Sequence, residues 1–153
     1  MRKGMWVGVF LAVLGVISPA VSEARSTPAM LGRPASASQL SCVNVDHVTG
    51  GVTNASCGSS IQWELGLPLD SNGGHSGSFT MKMAGSFASN CRAVGIGRDG
   101  IGGTASNLVT TSIPNTFETL SWTGANVPAN GLLYMQCNMN LGSVFTKADH
   151  SPS

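Results

Sequence analysis

The stretch that decides the fold is Leu132-Leu-Tyr-Met-Gln-Cys-Asn-Met-Asn140, LLYMQCNMN. It alternates strictly. Leu133, Met135, Cys137 and Met139 fall on one side of an extended chain, and Tyr134, Gln136, Asn138 and Asn140 on the other. A helix would mix these two sets, so the stretch is a strand with one apolar and one amide-rich face. Such a strand belongs to an antiparallel sheet that covers a core on one side only.

The same period recurs along the chain. Ser60-Ile-Gln-Trp-Glu-Leu-Gly-Leu67 puts Ile61, Trp63 and Leu65 opposite Gln62 and Glu64, and Pro68 ends it. Ser78-Phe-Thr-Met-Lys-Met-Ala-Gly85 puts Phe79, Met81 and Met83 inward. Further runs are SCVNVDHV (41–48), GVTNASC (51–57), CRAVGIG (91–97), NLVTT (107–111), TFETLSWTG (116–124) and VFTKA (144–148). DSNGGHSG (70–77) reads as a turn, with His75 inside it. Short strands separated by glycine and asparagine imply an all-β fold. The expected form is a single antiparallel β-sandwich, Greek-key or jelly-roll-like, of eight or nine strands, with a small β-barrel as the alternative.

The N-terminus sets the compartment. Arg2 and Lys3 precede an apolar run from Met5 to Ile17, Pro19 breaks it, and Ser22-Glu23-Ala24 has the small-x-small form of a cleavage site. As a helix the run would span about 20 Å, short of the roughly 30 Å hydrocarbon core. Residues 1–24 are therefore expected to be a signal peptide and 25–39 a flexible Ala/Ser/Pro-rich leader. Residues 40–149 are the β-sandwich domain, and 150–153, including His150, a tail. The expected location is extracytoplasmic, secreted or periplasmic, with no membrane span after cleavage. Acidic and basic residues balance beyond Ala24, which leaves no electrostatic footprint for nucleic acid.

An exported chain with four cysteines, Cys42, Cys57, Cys91 and Cys137, is expected to form two disulfides. No CxxC spacing suggests zinc or thiol redox chemistry. A two-residue turn at Thr49-Gly50 would set Cys42 opposite Cys57. Cys91 and Cys137 would then bridge two distant strands. The methionines around Cys137 would suit copper(I), but no histidine lies near it in sequence. Core packing is the preferred reading, with no metal or other cofactor expected.

Catalytic motifs are absent. Gly95, Gly97 and Gly100 have GxGxxG spacing without a following helix, so they read as a glycine-rich hairpin. Asp46 and His47 are adjacent and cannot pair, and neither a GxSxG elbow nor an HExxH helix occurs. Asp70 and Asn72 supply too few carboxylates for a calcium loop. Asn54-Ala55-Ser56 is a glycosylation sequon. The expectation is a non-catalytic module, surface-structural or binding a glycan or protein, with a small secreted hydrolase as the alternative. Tyr134, Gln136, Asn138 and Asn140 form the candidate ligand face, because a ring stacks on sugar C–H groups while amides bond hydroxyls.

Through WELGLPLD, NCRAV, LSW and YMQCNM the chain resembles small secreted bacterial four-cysteine β-sandwich proteins of uncharacterised function. The resemblance spans Cys42 to Ala148 and implies an export route and a fold, not an activity. It departs at Gly66, where a cysteine would be expected before the Leu-Pro step. Intact-mass measurement of the exported protein is expected to give a chain beginning at Arg25; a species retaining Met1 would contradict cleavage.

Overall fold

The computed structural model describes residues 24–152, so the expected signal peptide lies outside the described residues apart from Ala24. Eleven strands form two antiparallel sheets. Sheet I has the order β3 (Val43–Asp46), β4 (Gly51–Asn54), β11 (Val144–Pro152), β6 (Gly73–Lys82) and β9 (Phe117–Val127). In it, β1 (Arg25–Pro28) also pairs with β11. Sheet II has the order β2 (Arg33–Pro34), β5 (Ile61–Leu67), β10 (Leu132–Met139), β7 (Asn90–Ile96) and β8 (Val109–Thr110). With β1, β2 and β3 set aside, the orders β4-β11-β6-β9 and β5-β10-β7-β8 are those of a jelly roll. Two separate sheets make a sandwich, not a barrel.

Alternation predicts the core correctly. Ile61, Leu65, Met135, Cys137 and Met139 from sheet II meet Phe79, Met81, Trp122 and Phe145 from sheet I, all fully buried. Trp63 adds its ring, and its Nε1–H donates to the Ala29 carbonyl at 3.0 Å. Each large side chain removed from water contributes about 1.5–3 kcal/mol, so these inward rows outweigh any local turn preference.

Both disulfides form as expected, Cys42–Cys57 and Cys91–Cys137, but their settings differ from expectation. In the β3–β4 hairpin Asp46 faces Gly51, so the turn is His47–Gly50 and not Thr49-Gly50 alone. The Asp46 carboxylate accepts from the Val48 N–H at 2.9 Å and the Thr49 hydroxyl at 2.6 Å. These bonds hold its carboxyl below the usual carboxylate range, the Thr49 hydroxyl most strongly. Gly50 takes the left-handed conformation with φ 72°. Cys42 and Cys57 therefore lie beyond the ladder, with Cα atoms 5.1 Å apart. Cys91 and Cys137, 46 residues apart in sequence, are directly opposed on the neighbouring strands β7 and β10 with Cα atoms 4.1 Å apart. Closing that loop stabilises by about 4 kcal/mol on chain-entropy grounds.

Three further expectations are corrected. The segment read as a flexible leader is packed into the sandwich: β1 pairs with β11, β2 pairs with β5, and Ala29 is fully buried. The tail is a strand end, and His150 is buried within β11. Residues 73–77 are strand and not turn, with His75 inward. The glycine there serves packing: a Cβ on Gly77 would lie 2.1 Å from the Asp149 carbonyl oxygen and 2.7 Å from the Trp122 ring. The sequon asparagine, Asn54, is fully buried and no glycan acceptor in the folded domain. Its side-chain amide donates to the Met139 carbonyl at 3.0 Å and the Ser59 carbonyl at 3.2 Å, and its oxygen accepts from the Cys57 N–H at 3.1 Å.

Two substitutions test this account by urea unfolding of the oxidised protein. Asn54→Ala removes the partner of three backbone groups, one buried and two part-buried, and is expected to cost about 2 kcal/mol. Gly77→Ala drives a methyl into main chain and is expected to cost about 3 kcal/mol. A change below about 0.5 kcal/mol in either would contradict the packing described.

Candidate functional site

The outer face of sheet II is a grid set by register. Its rows run across the strands. Gly66, Tyr134 and Val94 form one row; Arg33, Glu64, Gln136 and Arg92 the next; Gln62, Asn138, Asn90 and Thr110 the third. Neighbouring strands lie about 4.8 Å apart and successive rows on one face about 7 Å apart, spacings close to the size of a sugar ring.

Tyr134 stands at one end of this grid. Its neighbour on β5 is Gly66, where a Cβ would meet nothing within 4 Å, so the space beside the phenol is open. A groove of about 500 Å³ lies there, lined by Tyr134, Gly66, Arg33 and Glu64 together with Leu31 and Leu132. Leu31 and Leu132 are 65% and 61% exposed, an apolar rim around the ring.

The polar groups are positioned by one another. Arg92 Nε–H donates to Gln136 Oε1 at 2.8 Å, Asn138 Nδ2–H to Asn90 Oδ1 at 3.1 Å, and Gln62 Nε2–H to Glu64 Oε1 at 3.3 Å. These contacts engage the Gln136 oxygen and the Asn138 nitrogen and leave the other amide group of each side chain out of the network. Asn140 does not join them. It lies beyond the end of β10, where its amide nitrogen donates to the Ala88 carbonyl and its backbone N–H to Ser89 Oγ. The alternation of LLYMQCNMN thus places three of the four candidate residues on one face. It could not show the partners from β2, β5 and β7. The alternation of SIQWELGL had already put Gln62 and Glu64 opposite the core; their adjacency to Gln136 and Asn138 is a matter of register.

The outer face of sheet I is different in kind. Ser76, Ser78 and Thr80 on β6 pair with Thr123, Ser121 and Thr119 on β9, a ladder of small hydroxyls. Its exposed ring, Phe117, is covered by the Lys82 ammonium 5.2 Å from the centroid. Sheet I has a groove of about 560 Å³ lined by Phe117, Asn44, Asp46 and Lys82, but its ring is capped by the Lys82 ammonium, whereas the groove on sheet II holds a phenol without such a cap.

Among the described residues no group of three or more His, Cys, Asp or Glu side chains could hold a metal ion, and no helix is long and apolar enough to cross a membrane. Met81, Met135 and Met139 are fully buried and Met83 nearly so. Gly97 to Ile101 close a turn, through the Gly97 N–H to the Ile101 carbonyl at 3.1 Å, and no helix follows. Asp70 pairs with Arg25 at 2.8 Å.

This architecture is a jelly-roll β-sandwich with a flat, polar sheet face. Two solved structures of that class cover it almost end to end. The carbohydrate binding module CBM6cm-2 from Cellvibrio mixtus lichenase 5A, in complex with cellotriose, aligns at a TM-score of 0.53 and 12% identity, over 84% of this chain and 97% of that one. The apo form of BiXyn10A CBM1 aligns at 0.51 and 12% identity, over the same shares. Isomalto-dextranase of Arthrobacter globiformis T6, complexed with panose, aligns at 0.50 and 12% identity over 84% of this chain and 23% of that one. At this identity the likeness establishes the fold. The sequence matches no protein-family model and no curated protein.

Proposed function

We propose that the protein is an extracytoplasmic, non-catalytic module that binds a glycan across the outer face of sheet II. The observation that carries this is the open Tyr134 ring, set in a groove with Gly66 beside it and a row of polar side chains about 7 Å away. One sugar ring stacks on the phenol, where its C–H groups meet the π-face. The next sugar along the chain lies over Gln136, whose nitrogen donates to a hydroxyl, with Glu64 and Arg92 on either side. Asn138 and Gln62 extend the same surface by one further unit. The disulfides fit an oxidising compartment. The fold likeness to two structures printed as carbohydrate-binding modules supports the class of ligand without specifying it.

The arrangement favours binding over turnover. Glu64 is the only carboxylate in the groove, and its Oε1 is engaged by Gln62. A glycosidase needs a second carboxylate across the scissile bond, and the groove offers an arginine there.

Glycan-array screening of the oxidised protein, alongside a hydrolase substrate panel, tests the reading. Binding without turnover is expected. Tyr134→Ala should weaken any glycan found by tenfold or more while changing stability by less than about 1 kcal/mol. Gly66→Leu is the sharper variant. Its Cβ has free space, so the fold should stand, while the side chain covers the tyrosine and abolishes binding. Undiminished binding in Gly66→Leu, or turnover of a substrate by the wild type, would overturn the proposal.

A further inference from the structure

Two histidines close one end of the sandwich core, where the loop of residues 68–72 crosses from β5 in sheet II to β6 in sheet I. His75 on β6 is 2% exposed and His150 on β11 is 1% exposed. Their ring centroids are 6.3 Å apart. His75 Nε2 lies 3.2 Å from the Ser71 carbonyl, and His150 hydrogen-bonds the backbone of Pro68. Proline has no N–H, so the Pro68 carbonyl is the acceptor. Each ring therefore donates to the loop through one nitrogen.

The other nitrogens define the protonation state. Nδ1 of His75 and Nδ1 of His150 are both buried without a hydrogen-bond partner. A buried N–H in that position would lack an acceptor, which favours the Nε2–H tautomer of each ring, with the lone pair on Nδ1. Adding a proton to either Nδ1 would create a buried donor with no acceptor and a cation beside a second imidazole.

We propose that His75 and His150 form an acid-sensitive latch: mild acidification adds a proton at His150 and detaches the 68–72 loop while the two sheets remain folded. The loop is the element that yields because it is the segment both rings hold, through Ser71 and Pro68, and it lies outside strands β5 and β6. Strands β6 and β11 cannot yield in this way, since Phe79, Met81, Phe145 and Ala148 anchor them in the core.

The surrounding charges leave the latch intact at neutral pH and do not rescue it in acid. From the loop, the Asp70 carboxylate favours His150 protonation; from β1, Arg25 opposes it. These two are ion-paired at 2.8 Å, so their fields at the ring largely cancel. On β11, Asp149 points to the other face and is held by Lys147 at 2.9 Å. The β9 residues packed here, Trp122 and Ala125, are uncharged. Burial first, then His75, hold His150 below the usual histidine value of 6.5. The closed state thus binds fewer protons than the open one as pH falls below about 6.5, and closure weakens from there until the closed-state value is passed.

Hydrogen exchange read by mass spectrometry tests this on the oxidised protein. After correction for intrinsic exchange chemistry, amides of residues 69–74 are expected to exchange at least tenfold faster at pH 5 than at pH 7.5, with β10 unchanged. In the double variant His75→Gln, His150→Gln, whose amides still donate but do not titrate, the acid response should vanish. Should that variant fail to fold, histidine NMR titration of the wild type replaces it, and the His150 midpoint must coincide with the exchange midpoint. The proposal is overturned by a pH-independent loop, by equal acceleration across all strands, by an acid response persisting in the double variant, or by mismatched midpoints.

Discussion

The pairing of β10 with β7, locked by Cys91–Cys137, is the constraint on which the rest of the molecule depends. β10 is the middle strand of sheet II, and the two cysteines are opposed at its inner face. Fixing that pair fixes register, and a slip by one residue would turn every side chain to the wrong face. The inner row Leu133, Met135, Cys137 and Met139 would leave the core, and Tyr134, Gln136 and Asn138 would be buried without partners. One covalent link therefore secures the core and the outer grid together.

The cysteine among methionines takes its meaning from this arrangement. Cys137 is spent on its neighbour Cys91, and the fully buried methionines fill volume in the same core cluster as the disulfide, Phe79 and Phe145. Unbranched thioethers suit a gap of that kind. The same side chains, read only as a list, had invited comparison with a copper site.

At the other end of the core, polarity replaces apolar packing. Gly77 lets the Asp149 main chain and the Trp122 ring approach β6, and the space beside them is taken by His75 and His150. Their nitrogens tie the crossing loop to the sheet. The glycine-rich composition that resembles a turn is thus what a strand needs when it passes under a tryptophan.

The sequence by itself determined the elements whose information is local. Period-two alternation placed Ile61, Trp63, Leu65, Met135 and Cys137 inward, because strand geometry alternates faces regardless of context. It also separated Tyr134, Gln136 and Asn138 from the core, and the even number of cysteines in a chain expected to be exported pointed to two disulfides. Only the tertiary structure decided the rest. The span 25–39 has no periodicity, yet it packs because β11 beyond its short pairing with β4, and the outer side of β5, leave backbone groups open to it. Asn140 follows the alternation but is captured by the Ala88 carbonyl, a neighbour brought by the chain's return. The turn at His47–Gly50 is set by Asp46 accepting three hydrogen bonds, which outweighs the shorter turn that the glycines alone permit. Above all, the row of Arg33, Glu64, Gln136 and Arg92 unites residues from four strands. Strand order and register depend on contacts between segments far apart in the chain, and alternation within a single segment carries no information about them.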